Sequence, residues 1–161
     1  MKRLLSLAVV IAMCAPVAAL AGSGLSAWGP RVGIAANPDQ INLGAQLDFG
    51  YLASHLRFQP NFEVGAGNNR TTASFNFDLA YVFLSRRSQW RPYLGGGVGL
   101  NIIDRHYPRR YPSESDLAAG MGFIGGIEKN IFAGNRFFTE VRIGFINSPD
   151  LKWTVGWCFK T

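Results

Sequence analysis

Thr71-Thr72-Ala73-Ser74-Phe75-Asn76-Phe77-Asp78-Leu79-Ala80-Tyr81-Val82-Phe83-Leu84 alternates almost perfectly. Ala73, Phe75, Phe77, Leu79, Tyr81 and Phe83 occupy one parity. Thr72, Ser74, Asn76, Asp78 and Ala80 occupy the other, with Val82 as the single apolar intrusion. Period-2 alternation specifies a β-strand with one apolar and one polar or small face. Soluble strands are typically about 5–6 residues long, whereas a tilted membrane-spanning strand needs roughly 9–11. The length of this run therefore points to a transmembrane strand.

The same pattern recurs on both sides of that stretch. Strands are predicted at Pro30–Ala36, Ile41–Tyr51, Leu56–Val64, Thr71–Leu84, Trp90–Ile102, Leu117–Glu128, Phe137–Phe145 and Leu151–Phe159. Turn-forming clusters such as Asn37-Pro38-Asp39-Gln40 and Asn147-Ser148-Pro149-Asp150 separate them. Pro60 falls within the third strand and marks a bulge or a local weakness, because proline cannot donate to a ladder. Eight strands in hairpin order predict an all-β fold, an eight-stranded antiparallel up-and-down transmembrane β-barrel.

The 161 residues are 48% hydrophobic and only 16% charged, with 19 glycines. Met1-Lys2-Arg3, the apolar run from Leu4 to Met13 and Ala19-Leu20-Ala21 form a secretory signal peptide over residues 1–21. A membrane-anchoring helix and acylation at Cys14 are the competing readings. Pro16 and the small-residue end oppose the first, and the bulky Met13 opposes the second. Cleavage leaves a barrel domain over residues 22–161. It carries 14 basic and 10 acidic residues, a net charge of +4 that demands no nucleic acid. Cys158 is then the one remaining cysteine, so no internal disulfide is expected.

Alternation alone does not say which face points inward. A soluble lipocalin-like barrel would enclose the apolar face. The polar face here is glycine-rich and carries about one charge per strand, with Arg31, Arg57, Arg91, Arg142 and Lys152 against Asp48, Glu63, Asp78, Glu128 and Glu140. Five against five suits a narrow interior, where buried charges must be paired. An eight-stranded lumen is just wide enough for its own side chains. This set is read either as a salt-bridge plug or as a path for protons or ions. Trp28, Phe49, Tyr51, Tyr81, Phe83, Trp90, Trp157 and Phe159 all fall near the end that holds the termini, as an interfacial girdle would.

Arg91-Pro92-Tyr93-Leu94-Gly95-Gly96-Gly97-Val98-Gly99-Leu100 resembles the strand "RPYLGaGvG" of the opacity-type outer-membrane β-barrel family. Gly125-Gly126-Ile127-Glu128 and Glu140-Val141-Arg142 are similar to that family's following strands. The resemblance implies location in the cell outer membrane with both termini periplasmic. It implies outer-membrane lipid, lipopolysaccharide and the barrel-insertion machinery as partners. Family members usually end on an aromatic residue, whereas Phe159 here is followed by Lys160 and Thr161.

Motifs for catalysis are not found. His55 and His106 lack metal-ligand spacing, and no His-x-Ser pair of the lipid-A deacylase type occurs. No cofactor is expected. The longest loop, Asp104 to Ser115, is the sharpest surface feature. Arg105, His106, Arg109 and Arg110 sit there among Tyr and Pro. Guanidinium forks match phosphate oxygens, so the loop is a candidate for lipopolysaccharide phosphates or an unidentified surface partner. An ordinary solvated loop is the alternative. The sequence thus predicts a non-enzymatic, plugged barrel with a structural or surface-interaction role. A narrow channel for small or apolar solutes and a soluble binder are the competing functions.

Overall fold

The computed structural model describes residues 24–68, 70–84, 88–105, 114–131 and 133–161. The described residues form nine strands: β1 Ala27–Ala36, β2 Gln40–Asp48, β3 Tyr51–Ala53, β4 Leu56–Gly67, β5 Arg70–Val82, β6 Trp90–Arg105, β7 Glu114–Asn130, β8 Arg136–Ile146 and β9 Leu151–Lys160. Each pairs antiparallel with its sequence neighbours, except where the second stave is broken. β1 closes on β9, with Arg31 opposite Gly156 and Val32 opposite Val155. β2 and β3 together form one stave, since both lie against β4. The result is a closed eight-stave barrel without helices among the described residues.

The second stave differs from the expected continuous strand Ile41–Tyr51. It breaks at Phe49-Gly50, where Gly50 adopts φ +78°, a conformation that side chains with a Cβ rarely take. The ladder to β4 runs to Gln46 opposite Asn61 and resumes at Tyr51 opposite Arg57. Pro60 lies in that gap, as its missing N–H requires.

Other strand ends also move. Thr71–Leu84 becomes Arg70–Val82, leaving Phe83 and Leu84 beyond the ladder. The predicted loop Asp104–Ser115 is shorter, because Arg105 pairs with Glu114 at the top of the β6–β7 hairpin. Residues 106–113 lie outside the described residues, as does the predicted signal peptide, residues 1–21. β7 meets β8 only from Met121 onward, so its first residues project beyond the neighbouring stave.

Alternation translates directly into walls. β1 reads buried and exposed in strict succession, with Ala27, Arg31 and Ala35 inside and Trp28, Val32 and Ile34 outside. Exposed Leu43, Leu94, Phe123, Phe145, Trp153 and Phe159 continue the apolar outer surface. Both chain ends meet at one end of the barrel, which we call the terminal end. There the Thr161 amide donates to the Ser26 carbonyl at 3.1 Å and the Ser26 amide to the Asp48 carbonyl at 2.8 Å.

Candidate functional site: the charged lumen

Two inward aromatics show how the narrow interior is filled. Tyr93 lies against Gly126, and Phe138 against Gly156. A Cβ at either glycine would fall on the facing ring. Both aromatics are fully enclosed and lie beneath guanidinium groups, Arg57 5.6 Å from the Tyr93 centroid and Arg31 5.7 Å from that of Phe138. Val82, Ala80 and Ile124 complete a small apolar patch around Tyr93.

The lumen is otherwise dominated by polar side chains, and its charged groups form a chain of ion pairs. At mid-height Arg31 binds Glu63 through Nε at 2.7 Å and Glu140 through Nη2 at 3.0 Å. It also donates to Gln46 Oε1 at 2.8 Å. Glu140 further accepts from Tyr93 Oη at 3.0 Å and lies 3.5 Å from Gln59 Nε2. Lys152 pairs with the second oxygen of Glu63. Toward the far end, Arg142 pairs with Asp78. Asn61 donates to the same carboxylate at 2.7 Å and accepts from Asn76 at 2.9 Å.

The terminal-end cluster is built differently. Arg57 donates to Glu128 at 2.7 Å and lies 3.6 Å from Asp48. Arg91 reaches Glu128 at 2.9 Å and Asn130 at 2.6 Å. Arg136 pairs with Asp48 and approaches Glu128 at 3.9 Å. Arg136 corrects the expected five-against-five balance, since six cations face five carboxylates among these residues. It shares the inward parity of Phe138, Glu140 and Arg142, and β8 starts one residue before the predicted Phe137. Arg136 and Arg91 retain 13% and 20% side-chain exposure, which puts the surplus charge at the open mouth, where water can solvate it.

Structure thus brings Arg31, Asp48, Arg57, Glu63, Asp78, Arg91, Glu128, Glu140, Arg142 and Lys152 into one lumen. It adds Arg136, Tyr93, Gln46, Gln59, Asn61 and Asn76. Arg105 closes the β6–β7 hairpin at the far end, while His106, Arg109 and Arg110 lie outside the described residues. No cluster of three or more His, Cys, Asp or Glu side chains among the described residues is placed to hold a metal ion.

This interior carries buried ion pairs in place of the apolar cavity that a lipocalin-like binder requires. The closed barrel fold has counterparts among solved structures. Neisserial surface protein A (NspA) superimposes with a TM-score of 0.64 over 84% of this chain and 95% of that one, at 14% identity. The N-terminal β-barrel domain of Pseudomonas aeruginosa OprF gives a TM-score of 0.61 over 84% and 99%, at 12% identity. The likeness is one of fold. No family model and no curated protein sequence matches the chain.

Proposed function

We propose that the chain is a small, non-enzymatic barrel of the bacterial outer membrane, plugged by its own side chains. Its termini would be periplasmic, and the β6–β7 hairpin would lie at the cell surface. The single observation that carries this reading is the inversion of the walls. Buried Arg31, Glu63, Glu140 and Arg142 line the inside, while Leu43, Leu94, Phe123 and Trp153 stand exposed outside. In water the outer wall would be a barrel-wide apolar surface, far beyond what soluble monomers tolerate. In lipid it is the required surface, and closure gives every stave a neighbour on both sides. The fold likeness to NspA and to the OprF domain is in keeping with this location, as is the opacity-like stretch from Arg91 to Leu100.

The ion-pair layers span the bore, so the role is one of scaffold and surface display, not conduction. The Arg105–Arg110 loop is the element displayed. Its guanidinium groups suit the phosphates of lipopolysaccharide or an anionic surface partner. The barrel-insertion machinery would deliver the chain, reading an end in which Lys160 and Thr161 follow Phe159.

The test is refolding of the chain from Gly22 into vesicles. All-β circular dichroism, a mobility shift between boiled and unboiled samples, and strong quenching of Trp28, Trp90, Trp153 and Trp157 by brominated lipid are expected, because all four indoles face outward. Solubility without detergent and no shift would overturn membrane insertion. Planar-bilayer recording should give no steady conductance, and a stable open channel would overturn the plug. Neutralising Arg105, Arg109 and Arg110 together should weaken lipopolysaccharide binding, and unchanged binding would remove the phosphate role.

A further inference from the structure

The outer wall is interrupted where the second stave breaks. Between Gln46 opposite Asn61 and Tyr51 opposite Arg57, the β2–β3 side has one residue more than β4. The strands are joined there by Phe49 N to Phe58 O at 3.1 Å and Phe58 N to Gly50 O at 3.2 Å. Pro60 offers no amide to close the gap. The consequence is an apolar groove of about 500 Å³ on the outer wall. Short side chains, Ala45 and Pro60, lie between two aromatic pairs. Phe49 and Phe58 stand with centroids 6.0 Å apart, and Phe62 and Phe75 with centroids 4.7 Å apart. Phe58 has outward parity yet is only 4% exposed, because it is sunk into the groove wall.

The height of the groove matters. Tyr51, Tyr81 and Trp28, exposed near the terminal end, mark the level of the membrane interface. Phe58 stands one residue beyond Arg57, the partner of Tyr51, and Phe62 is four residues further along β4. At about 3.3 Å per residue on a tilted strand, the groove rises roughly 10 Å from the interface toward the bilayer midplane. Half a hydrocarbon core is about 15 Å thick, so the groove follows the course of one acyl chain.

We infer that this groove is a seat for an acyl chain of a phospholipid in the leaflet at the terminal end. The inference rests on the proposed membrane location. At this depth the surroundings are hydrocarbon, and the lining carries no free charge to select a polar partner. A second copy of the chain is a poor occupant, because a two-fold contact would place groove over groove and leave both empty. A chain in the groove touches aromatic surface on both sides as well as the floor, whereas lipid on the convex wall touches one side. Those added dispersion contacts give it a longer residence than its neighbours.

The test uses the chain from Gly22, refolded into phosphatidylethanolamine–phosphatidylglycerol vesicles and extracted into mild detergent for native mass spectrometry. The wild-type barrel should retain one diacyl phospholipid. Ala45→Phe fills the floor and should lower occupancy about tenfold; Ala45→Leu, a smaller insertion, should give a lesser loss and decides the matter if the phenylalanine variant does not refold. Ile143→Phe, on the outer face of β8, should leave occupancy unchanged. A lipid-free wild type, equal retention in both Ala45 variants, loss in Ile143→Phe, a dimer in place of the lipid, or preferential retention of lipopolysaccharide when both lipids are offered would overturn the inference. Boiled-versus-unboiled mobility on the same samples separates the two levels. A preserved shift without bound lipid defeats the groove alone, and an absent shift defeats membrane insertion itself.

Discussion

Glu140→Gln tests whether the lumen is a dry, paired interior. Glu140 is 1% exposed and serves Arg31 at 3.0 Å and Tyr93 at 3.0 Å. Glutamine preserves the volume but removes the charge and turns one oxygen into a donor. Either orientation of the new amide then sets a donor against Arg31 or against the Tyr93–Gln59 side. Removing one partner of a buried pair typically destabilises by 3–5 kcal/mol, because the other charge is stranded. Arg31 keeps Glu63 at 2.7 Å, but Glu63 is shared with Lys152. The lower end of that range, about 3 kcal/mol, is therefore expected. Urea unfolding of the refolded barrel in vesicles, followed by tryptophan fluorescence, reads the loss. Combining Arg31→Met with Glu140→Leu should cost less than the sum of the single changes, with a coupling of about 2 kcal/mol. A loss below about 1 kcal/mol in Glu140→Gln, the range of exposed pairs, would mean that water reaches and screens this layer. The plug would then be refuted.

Arg136→Ala should destabilise less than Glu140→Gln, by about 1–2 kcal/mol, since Arg57 still holds Asp48 and Glu128 and the mouth is partly wet; the same urea titration checks this, and a larger loss than for Glu140→Gln would invert the assignment of mouth and centre. Gly97→Ala places a methyl on the Asp78 carboxylate, the partner of Arg142, and should destabilise by about 1–3 kcal/mol or lower the refolding yield, whereas Gly125→Ala, which faces outward beside Leu94, should refold like the wild type. Cys158 is buried at 1% exposure, so a maleimide should label it slowly in the folded barrel and rapidly in urea; fast labelling of the folded form would show that reagent passes the Arg57–Arg91–Arg136 cluster into the lumen.

The staves were legible because one signal, period-2 alternation, is both local and strong. Thr72, Asn76 and Asp78 turn inward, and Phe75, Leu79 and Tyr81 outward, as their parity requires. Stave ends were less legible. Asp104, Arg105 and Asp116 look like loop by composition, yet the β6–β7 ladder carries them because each strand supports the other. The break at Phe49-Gly50 left a mark only in Pro60, which lies on the other strand. Arg136 lies one residue before the strand that alternation predicts from Phe137. Pairing was out of reach for a different reason. Parity assigns Arg31 and Glu140 to the same lumen, but their meeting across 109 residues depends on the stagger of the closed sheet. Stagger fixes the height of every side chain, and no local pattern encodes it.

Height also separates two kinds of cohesion inside the barrel. The terminal mouth is held by Arg57, Arg91 and Arg136 on two shared carboxylates, with two of those cations partly in water. The far end also carries hydrogen bonds between neutral groups: Gln40 donates to Thr72 at 3.1 Å, and Asn101 to the Asn147 carbonyl at 2.7 Å, while Asn147 donates to the Ala119 carbonyl at 3.0 Å. Salt screens exposed charges and leaves amide hydrogen bonds largely untouched. Ionic strength should therefore loosen the half-wet ion pairs of the mouth. Between them stands the buried Arg31–Glu63–Glu140 layer, which in the proposed plug would keep the bore shut when the mouth relaxes.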